Sequence, residues 1–195
     1  MGGLPMRAKV RDIFQTVLLG ILIFLALQGS IQNFRVEGSS MTPALRDSQY
    51  LLVNKALYYR LDKGRLGKLI PFYVPENNGV LYPFHPPERG EVVVFKFFKD
   101  QSRNFVKRVI AVPGDWVEIR DGKVLVNDKV ILESYAIGQS YPSIPKILLL
   151  DNQYFVLGDN RSESSDSRHW GPIHLDSIVG KAWISYWPFS ELAFE

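Results

Sequence analysis

Two adjacent serines, one lysine in a strand pattern and a polar run toward the C-terminal end are the residues of this chain that could do covalent chemistry together. Ser39 and Ser40 lie in Val36-Glu-Gly-Ser-Ser-Met-Thr-Pro-Ala-Leu45, where Gly38 and Pro43 flank a turn. Taken alone, a serine in such a place is ordinary turn chemistry. Lys107 says more. It belongs to Phe105-Val-Lys-Arg-Val-Ile110, in which Phe105, Lys107 and Val109 would share one strand face and Val106, Arg108 and Ile110 the other. One of two neighbouring cations must then point toward the packed side. Burial disfavours an ammonium, and the neutral amine it leaves is a competent general base. A serine hydroxyl beside that base is a Ser–Lys dyad, one variant of nucleophilic catalysis by a hydroxyl and a base.

Competing chemistries lack their residues. The chain has no cysteine, so a disulfide framework, a thiolate zinc site, an iron–sulfur cluster and a cysteine nucleophile are all excluded. Neither GxGxxG nor GxxxxGK occurs, the GxSxG nucleophile elbow is absent, and His85, His169 and His174 form no HExxH. No metal and no cofactor are expected.

The elements that must position the serines and the lysine start with an anchor. At 195 residues the chain has room for one domain and something extra. Charged residues at 22% and aromatics at 13% argue against disorder. The net charge of +3 is concentrated at the start, where Arg7, Lys9 and Arg11 against Asp12 supply two of the three positive charges. The remainder is nearly neutral, and nucleic acid is not an expected partner. Residues 13–34 carry no charge, a length of roughly 30 Å as a helix, and Val17–Leu27 is apolar apart from Gly20. The reading is a single-pass signal-anchor over 13–34, with residues 1–12 cytoplasmic and 35–195 on the extracytoplasmic side of the cell membrane. A cleaved secretory signal is the alternative, but Gln28-Gly-Ser-Ile-Gln-Asn33 offers no clean small-x-small site.

Beyond Arg35 the apolar residues recur with period two or in short runs, as in Tyr50–Val53, Val92–Phe95, Val106–Val112, Trp116–Ile119, Val124–Val126 and Tyr154–Leu157. The fold class is therefore mainly β. Asp121-Gly122, between two such runs, predicts a hairpin. Residues 58–87, rich in proline, glycine and aromatic rings, predict a long excursion with little regular structure, whose rings could rest at lipid headgroups or fill a core crevice.

Four polar clusters remain, each beside a short strand: Ser40-Met-x-Pro43, Arg89-Gly-Glu-Val-Val93, Lys107-Arg-x-x-x-x-Pro-Gly-Asp115 and Gly158-Asp-Asn-Arg-x-x-Ser-x-Asp-Ser-Arg168. In this order they resemble bacterial type I signal peptidase, from the anchor through Gly171. The resemblance implies a β-rich catalytic domain with a smaller β-ribbon subdomain at about 115–153. It also implies a serine endopeptidase that acts as a monomer beside the bilayer, removing signal peptides from exported preproteins by cutting after small residues in a small-x-small pattern. Carried over by motif, Ser40 is the nucleophile, with its backbone N–H in the oxyanion hole. Lys107 is the general base and Ser164 the hydroxyl that orients it. Asp166 and Arg168 fall on a structural ion pair, and Asp159, Asn160 and Arg161 on the supporting loop. Phe34, Val36, Met41, Leu45, Phe105 and Val106 fall on the substrate pockets. Gly38 departs from those members that carry a serine two residues before the nucleophile, leaving Ser39 or water to share the oxyanion. A self-cleaving SOS-type repressor with the same dyad, and a β-domain that binds peptides without cutting them, are the rival readings. The first would carry a DNA-binding module in place of the apolar span, and the second has no need of Ser40, Lys107 and Ser164 together.

Overall fold

A computed structural model of the chain describes residues 6–62, 80–81, 83–97, 99–188 and 193–194. The N-terminal stretch forms a helix, α1 (Met6–Ser30). Residues Val10–Ser30 have a mean hydropathy of 2.0, and no part of that window is buried against the rest of the chain. A helix apolar on every face and packed against nothing is suited to a bilayer by length and composition.

The uncharged run expected to form one anchor over 13–34 is divided. The helix stops at Ser30, whose Oγ donates to Ala26 O at 2.6 Å, and the next residue opens strand β1 (Ile31–Arg35). β1 pairs antiparallel with β2 (Tyr50–Asn54), from Ile31 opposite Asn54 to Arg35 opposite Tyr50. Charge could not mark this boundary, because residues 31–34 are as uncharged as residues 13–30. The ladder bonds to β2 claim them for the sheet.

The remaining strands are β3 (Leu61–Asp62), β4 (Val80–Leu81), β5 (Val92–Phe97), β6 (Asp100–Ala111), β7 (Trp116–Arg120), β8 (Lys123–Val126), β9 (Lys129–Val130), β10 (Ile144–Leu148), β11 (Gln153–Leu157), β12 (Ile173–His174), β13 (Ile178–Trp187) and β14 (Ala193–Phe194), with a short helix α2 (Ser167–Trp170). The body is mainly β. Its larger sheet runs β1-β2-β13-β5-β6-β11-β12 with β14 on β13, and a second sheet runs β10-β7-β8-β9.

β5 shows why the larger sheet holds together. Its run Val92-Val-Val-Phe is apolar without alternation because both faces are covered. Val92 and Val94 pack with Val36, Met41, Leu45, Leu51 and Val53, while Val93 and Phe95 pack with Tyr58, Val109, Tyr154 and Val156. The second sheet folds over Val117, Ile119, Val124 and Val126, which join Phe155 and Leu157 in a third cluster. Its β7–β8 hairpin turns at Asp121 (φ 52°) and Gly122 (φ 72°), both left-handed, with Arg120 opposite Lys123. That is the two-residue turn whose twist matches the flanking strands.

The excursion at 58–87 is closed at its base by β3 on β4. Tyr58 is buried there and donates to Glu91 Oε2 at 2.6 Å, so this ring fills a crevice, whereas Tyr59 and Phe84 are exposed. Phe72, Tyr73 and Tyr82, read as part of the same segment, lie outside the described residues.

The position of the helix end is testable. Removing residues 1–30 leaves β1 whole and should keep the thermal midpoint of the body, measured by near-UV circular dichroism, within about 2 °C of the full chain. Removing 1–35 takes away the whole β1 ladder and the packing of Phe34, and should lower the midpoint by at least about 5 °C.

Candidate active site

Ser40 and Lys107, 67 residues apart in sequence, meet: Lys107 Nζ donates to Ser40 Oγ at 2.6 Å and to Val106 O at 2.9 Å. Ser40 sits in the turn after β1, and Lys107 comes from the middle of β6, opposite Val93. The amine lies 5.8 Å from the centre of the Phe105 ring, and Lys107 is only 2% exposed. Burial pushes its pKa down to about 8, against the upward pull of Asp166 and Asp159 and with a small downward push from Arg168. Near neutral pH roughly one molecule in ten then carries a free amine at this position, about a hundredfold or more above a solvated lysine. Such an amine can take the proton of the hydroxyl it already touches.

Alternation predicted that one of Lys107 and Arg108 faces the packed side. Both are covered. Arg108 turns the opposite way and forms a two-armed pair with Asp159, Nε to Oδ1 at 2.9 Å and Nη2 to Oδ2 at 2.7 Å.

The backbone N–H of Ser40 donates no hydrogen bond among the described residues, so it is free to bind an oxyanion. Ser39 is exposed and makes no bond to Lys107. Gly38 has φ +87° and donates its N–H to Asp47 Oδ1 at 2.7 Å. A serine at 38 would be strained in that left-handed backbone, although the space beside it is open.

Ser164 is brought to the site but not into a hydrogen bond with the lysine. Its Oγ is buried, makes no hydrogen bond of full geometry among the described residues, and lies close enough to Asp166 to help hold that carboxyl down. It packs on Gly158, where a Cβ would lie 2.5 Å from Ser40 O and closer still to Ser164 Oγ. Lys107 directs its described bonds to Ser40 and Val106. Asp166 and Arg168 form a buried two-armed pair at 2.8 Å on each arm. Burial alone would raise the Asp166 carboxyl, but Arg168 and the Gly158 N–H hold it below the usual range. Asn160 donates its N–H to Ser40 O at 3.1 Å. Arg161 is buried and reaches Gly158 O, Ser140 and Glu133.

A cleft of about 360 Å³ opens beside Ser40. Phe34, Val36, Phe105 and Val106 line it as expected, with Leu51 and Val94 added from β2 and β5 and the 102–104 stretch of β6 along one side. Met41 and Leu45 do not line it. Both are fully buried in the cluster with Val36 and Leu51, so they back the wall instead of forming it. Apolar patterning marks both kinds of position alike. Arg108, as the partner of Asp159, and Gly158, as the point of closest approach to Ser40, were also missed; both stand inside the quoted motifs, and only their contacts give them roles.

A model of the signal peptidase, peptidase S26, family matches residues 9–187. The chain belongs to that family. Among relatives of this signal peptidase-family chain, Signal peptidase I U of Bacillus subtilis (strain 168) is 32% identical, covering 94% of this chain and 93% of that protein. The chloroplastic Thylakoidal processing peptidase 1 of Arabidopsis thaliana is 37% identical over 58% of this chain. The match spans 36% of that longer protein. A crystal structure of a signal peptidase I from Enterococcus faecalis V583 aligns with 50% of this chain and 97% of its own at 26% identity, with a TM-score of 0.44. Family membership together with α1 fits a membrane-anchored protein.

The depressed Lys107 pKa gives the site a pH signature. Hydrolytic kcat/KM should climb about tenfold per pH unit from 6 toward 8 and level off above, because only the neutral amine accepts the Ser40 proton. Lys107→Arg should be inactive throughout, while His169→Ala, on an exposed residue, should keep both activity and limb. An active arginine variant, or loss of the limb in His169→Ala, would contradict Lys107 as the base.

Proposed function

We propose that this chain is a membrane-anchored serine endopeptidase that removes N-terminal signal peptides from exported preproteins. The observation that carries the reading is the 2.6 Å contact between Ser40 Oγ and a buried, pKa-lowered Lys107, both in the lining of a cleft of mixed polarity.

Chemically, the neutral Lys107 amine takes the Ser40 hydroxyl proton as Oγ adds to the carbonyl carbon before the cut. The oxyanion gathers on the Ser40 N–H. Collapse breaks the C–N bond, and the Lys107 ammonium returns its proton to the departing amine of the mature protein. This leaves the signal peptide as an ester on Ser40. Lys107 then takes a proton from water, hydroxide adds to the ester carbonyl, and the signal peptide leaves with a new carboxyl as Ser40 regains its hydroxyl. A second catalytic group is not required, since one amine serves as base and acid in turn.

Substrate approach follows from the same geometry. Two segments run toward the dyad along the cleft: the end of β1 with Phe34, continued by Val36, and the 102–106 part of β6. β6 pairs with β11 only from Arg108 onward, so its earlier edge on that side has no strand partner among the described residues. An extended peptide can add its backbone there, as strands do in β-augmentation. Phe34 lies four residues beyond the helix end, at most about 14 Å along the strand. A preprotein whose apolar segment already lies in the bilayer therefore meets the cleft close to the membrane surface, which raises its effective concentration. With the basic residues 7–11 retained in the cytoplasm, the body works on the extracytoplasmic face.

Phe34, Phe105, Val36 and Val106 leave little depth, so alanine, glycine or serine should be preferred immediately before the cut. Replacing that residue by phenylalanine or lysine in a purified preprotein should lower kcat/KM at least about tenfold. Ser40→Ala should abolish cleavage and Ser39→Ala keep most of it. Cleavage by Ser40→Ala, or ready cleavage after phenylalanine, would refute the reading.

A further inference from the structure

Three arginines in the motif-bearing segments grip the site on one side and, on the other, a single stretch that belongs to none of the motifs. The stretch is 133–141, between β9 and β10 of the second sheet. Arg161 forms a two-armed pair with Glu133, Nη2 to Oε1 at 2.5 Å and Nη1 to Oε2 at 2.8 Å, and Nη1 also donates to Ser140 Oγ. Arg168 donates to Tyr141 O at 2.8 Å while holding Asp166 and Ser164 O. The Arg108 guanidinium lies 4.3 Å from the centre of the Tyr135 ring while holding Asp159. Main-chain bonds close the join: Ile137 N–H donates to Asp159 O at 2.9 Å and Arg161 N–H to Ile137 O at 3.0 Å.

What these contacts hold is the backbone of the nucleophile. Arg161 Nε donates to Gly158 O at 3.0 Å, Gly158 packs too closely on Ser40 O to admit a Cβ, and Asn160 N–H donates to that same oxygen. Any displacement of the 158–161 loop is therefore passed to the Ser40 peptide, which carries both the attacking Oγ and the oxyanion N–H. Loss of about 1 Å of alignment at reacting atoms costs on the order of a hundredfold in rate.

We propose that residues 133–141 are a strap that sets the position of Ser40, and that Glu133 is its principal positioning residue. It touches no substrate. The Glu133 side chain is 12% exposed and that of Arg161 is 2% exposed, so removing the carboxylate charge leaves a buried guanidinium uncompensated and lets the loop shift. The β-ribbon sheet thereby has a task in the reaction, as the frame that presents the strap. This inference rests on the proposed peptidase activity for its kinetic arm only.

The test uses the full chain in detergent, as wild type, Glu133→Gln and Tyr135→Phe. The second variant is the milder one: it removes only the hydroxyl that donates to Glu133 Oε1 at 3.2 Å and keeps the ring over Arg108. Glu133→Gln should lower kcat on a preprotein about 10- to 100-fold with KM within about twofold. The pH limb should stay where it was, and amide hydrogen exchange at Asn160 should quicken. Tyr135→Phe should show the same split at about threefold. If Glu133→Gln does not fold, Tyr135→Phe decides. Wild-type kcat with unchanged Asn160 exchange in a folded variant overturns the proposal, and so does a rate loss that only tracks the unfolded fraction. If the wild type cleaves no preprotein, the peptidase reading fails while the exchange measurement still decides the strap.

Discussion

A lysine amine held out of water against a serine hydroxyl is the contact on which the rest of the structure depends. Water would stabilise the ammonium, so the base role proposed for Lys107 requires the fold to keep water away while leaving Ser40 open to a peptide. Phe105, Val109 and the strands on either side supply the exclusion. The turn after β1 leaves Ser40 half-buried at the cleft. Holding the amine near a pKa of 8 disfavours the ammonium by about 3 kcal/mol relative to water, a sizeable share of the stability of an ordinary domain.

That cost explains the charges arranged behind the site. Two carboxylates, Asp159 and Asp166, stand close enough to pull the lysine pKa upward. Left unpaired they would favour the ammonium more strongly. Each is instead taken by an arginine, Arg108 on Asp159 and Arg168 on Asp166, and the Arg168 charge also pushes the lysine down. Desolvation then outweighs what attraction remains. The carboxylates in turn order the loop: Asp166 accepts from Gly158 N–H, and Gly158 brings the backbone against Ser40 O. The electrostatics around Lys107 and the position of the Ser40 backbone thus depend on the same pairs.

Local chemistry was legible in the sequence. The hairpin at Asp121-Gly122 needs only positive φ at two residues, a property those residues carry themselves. The opposed faces of Lys107 and Arg108 follow from strand alternation alone. Contacts between distant segments were not legible, since spacing says nothing of a pair such as Arg161 and Glu133, 28 residues apart in different elements. Residue type also left two boundaries undecided: the absence of charge runs through Ser30 into β1, and apolar character does not tell Met41 and Leu45 in the core from Phe34 and Val36 on the cleft. In both cases hydrogen-bonded pairing and packing decide what residue type cannot.

The most direct measurement is the titration of the Lys107 side chain itself, followed by the chemical shift of its ¹³Cε in the full chain and assigned with Lys107→Arg. The account predicts a midpoint near 8. A Lys107 midpoint at or above 10 would mean that the amine is solvated and charged at working pH, and the Ser–Lys chemistry built on its burial would be wrong.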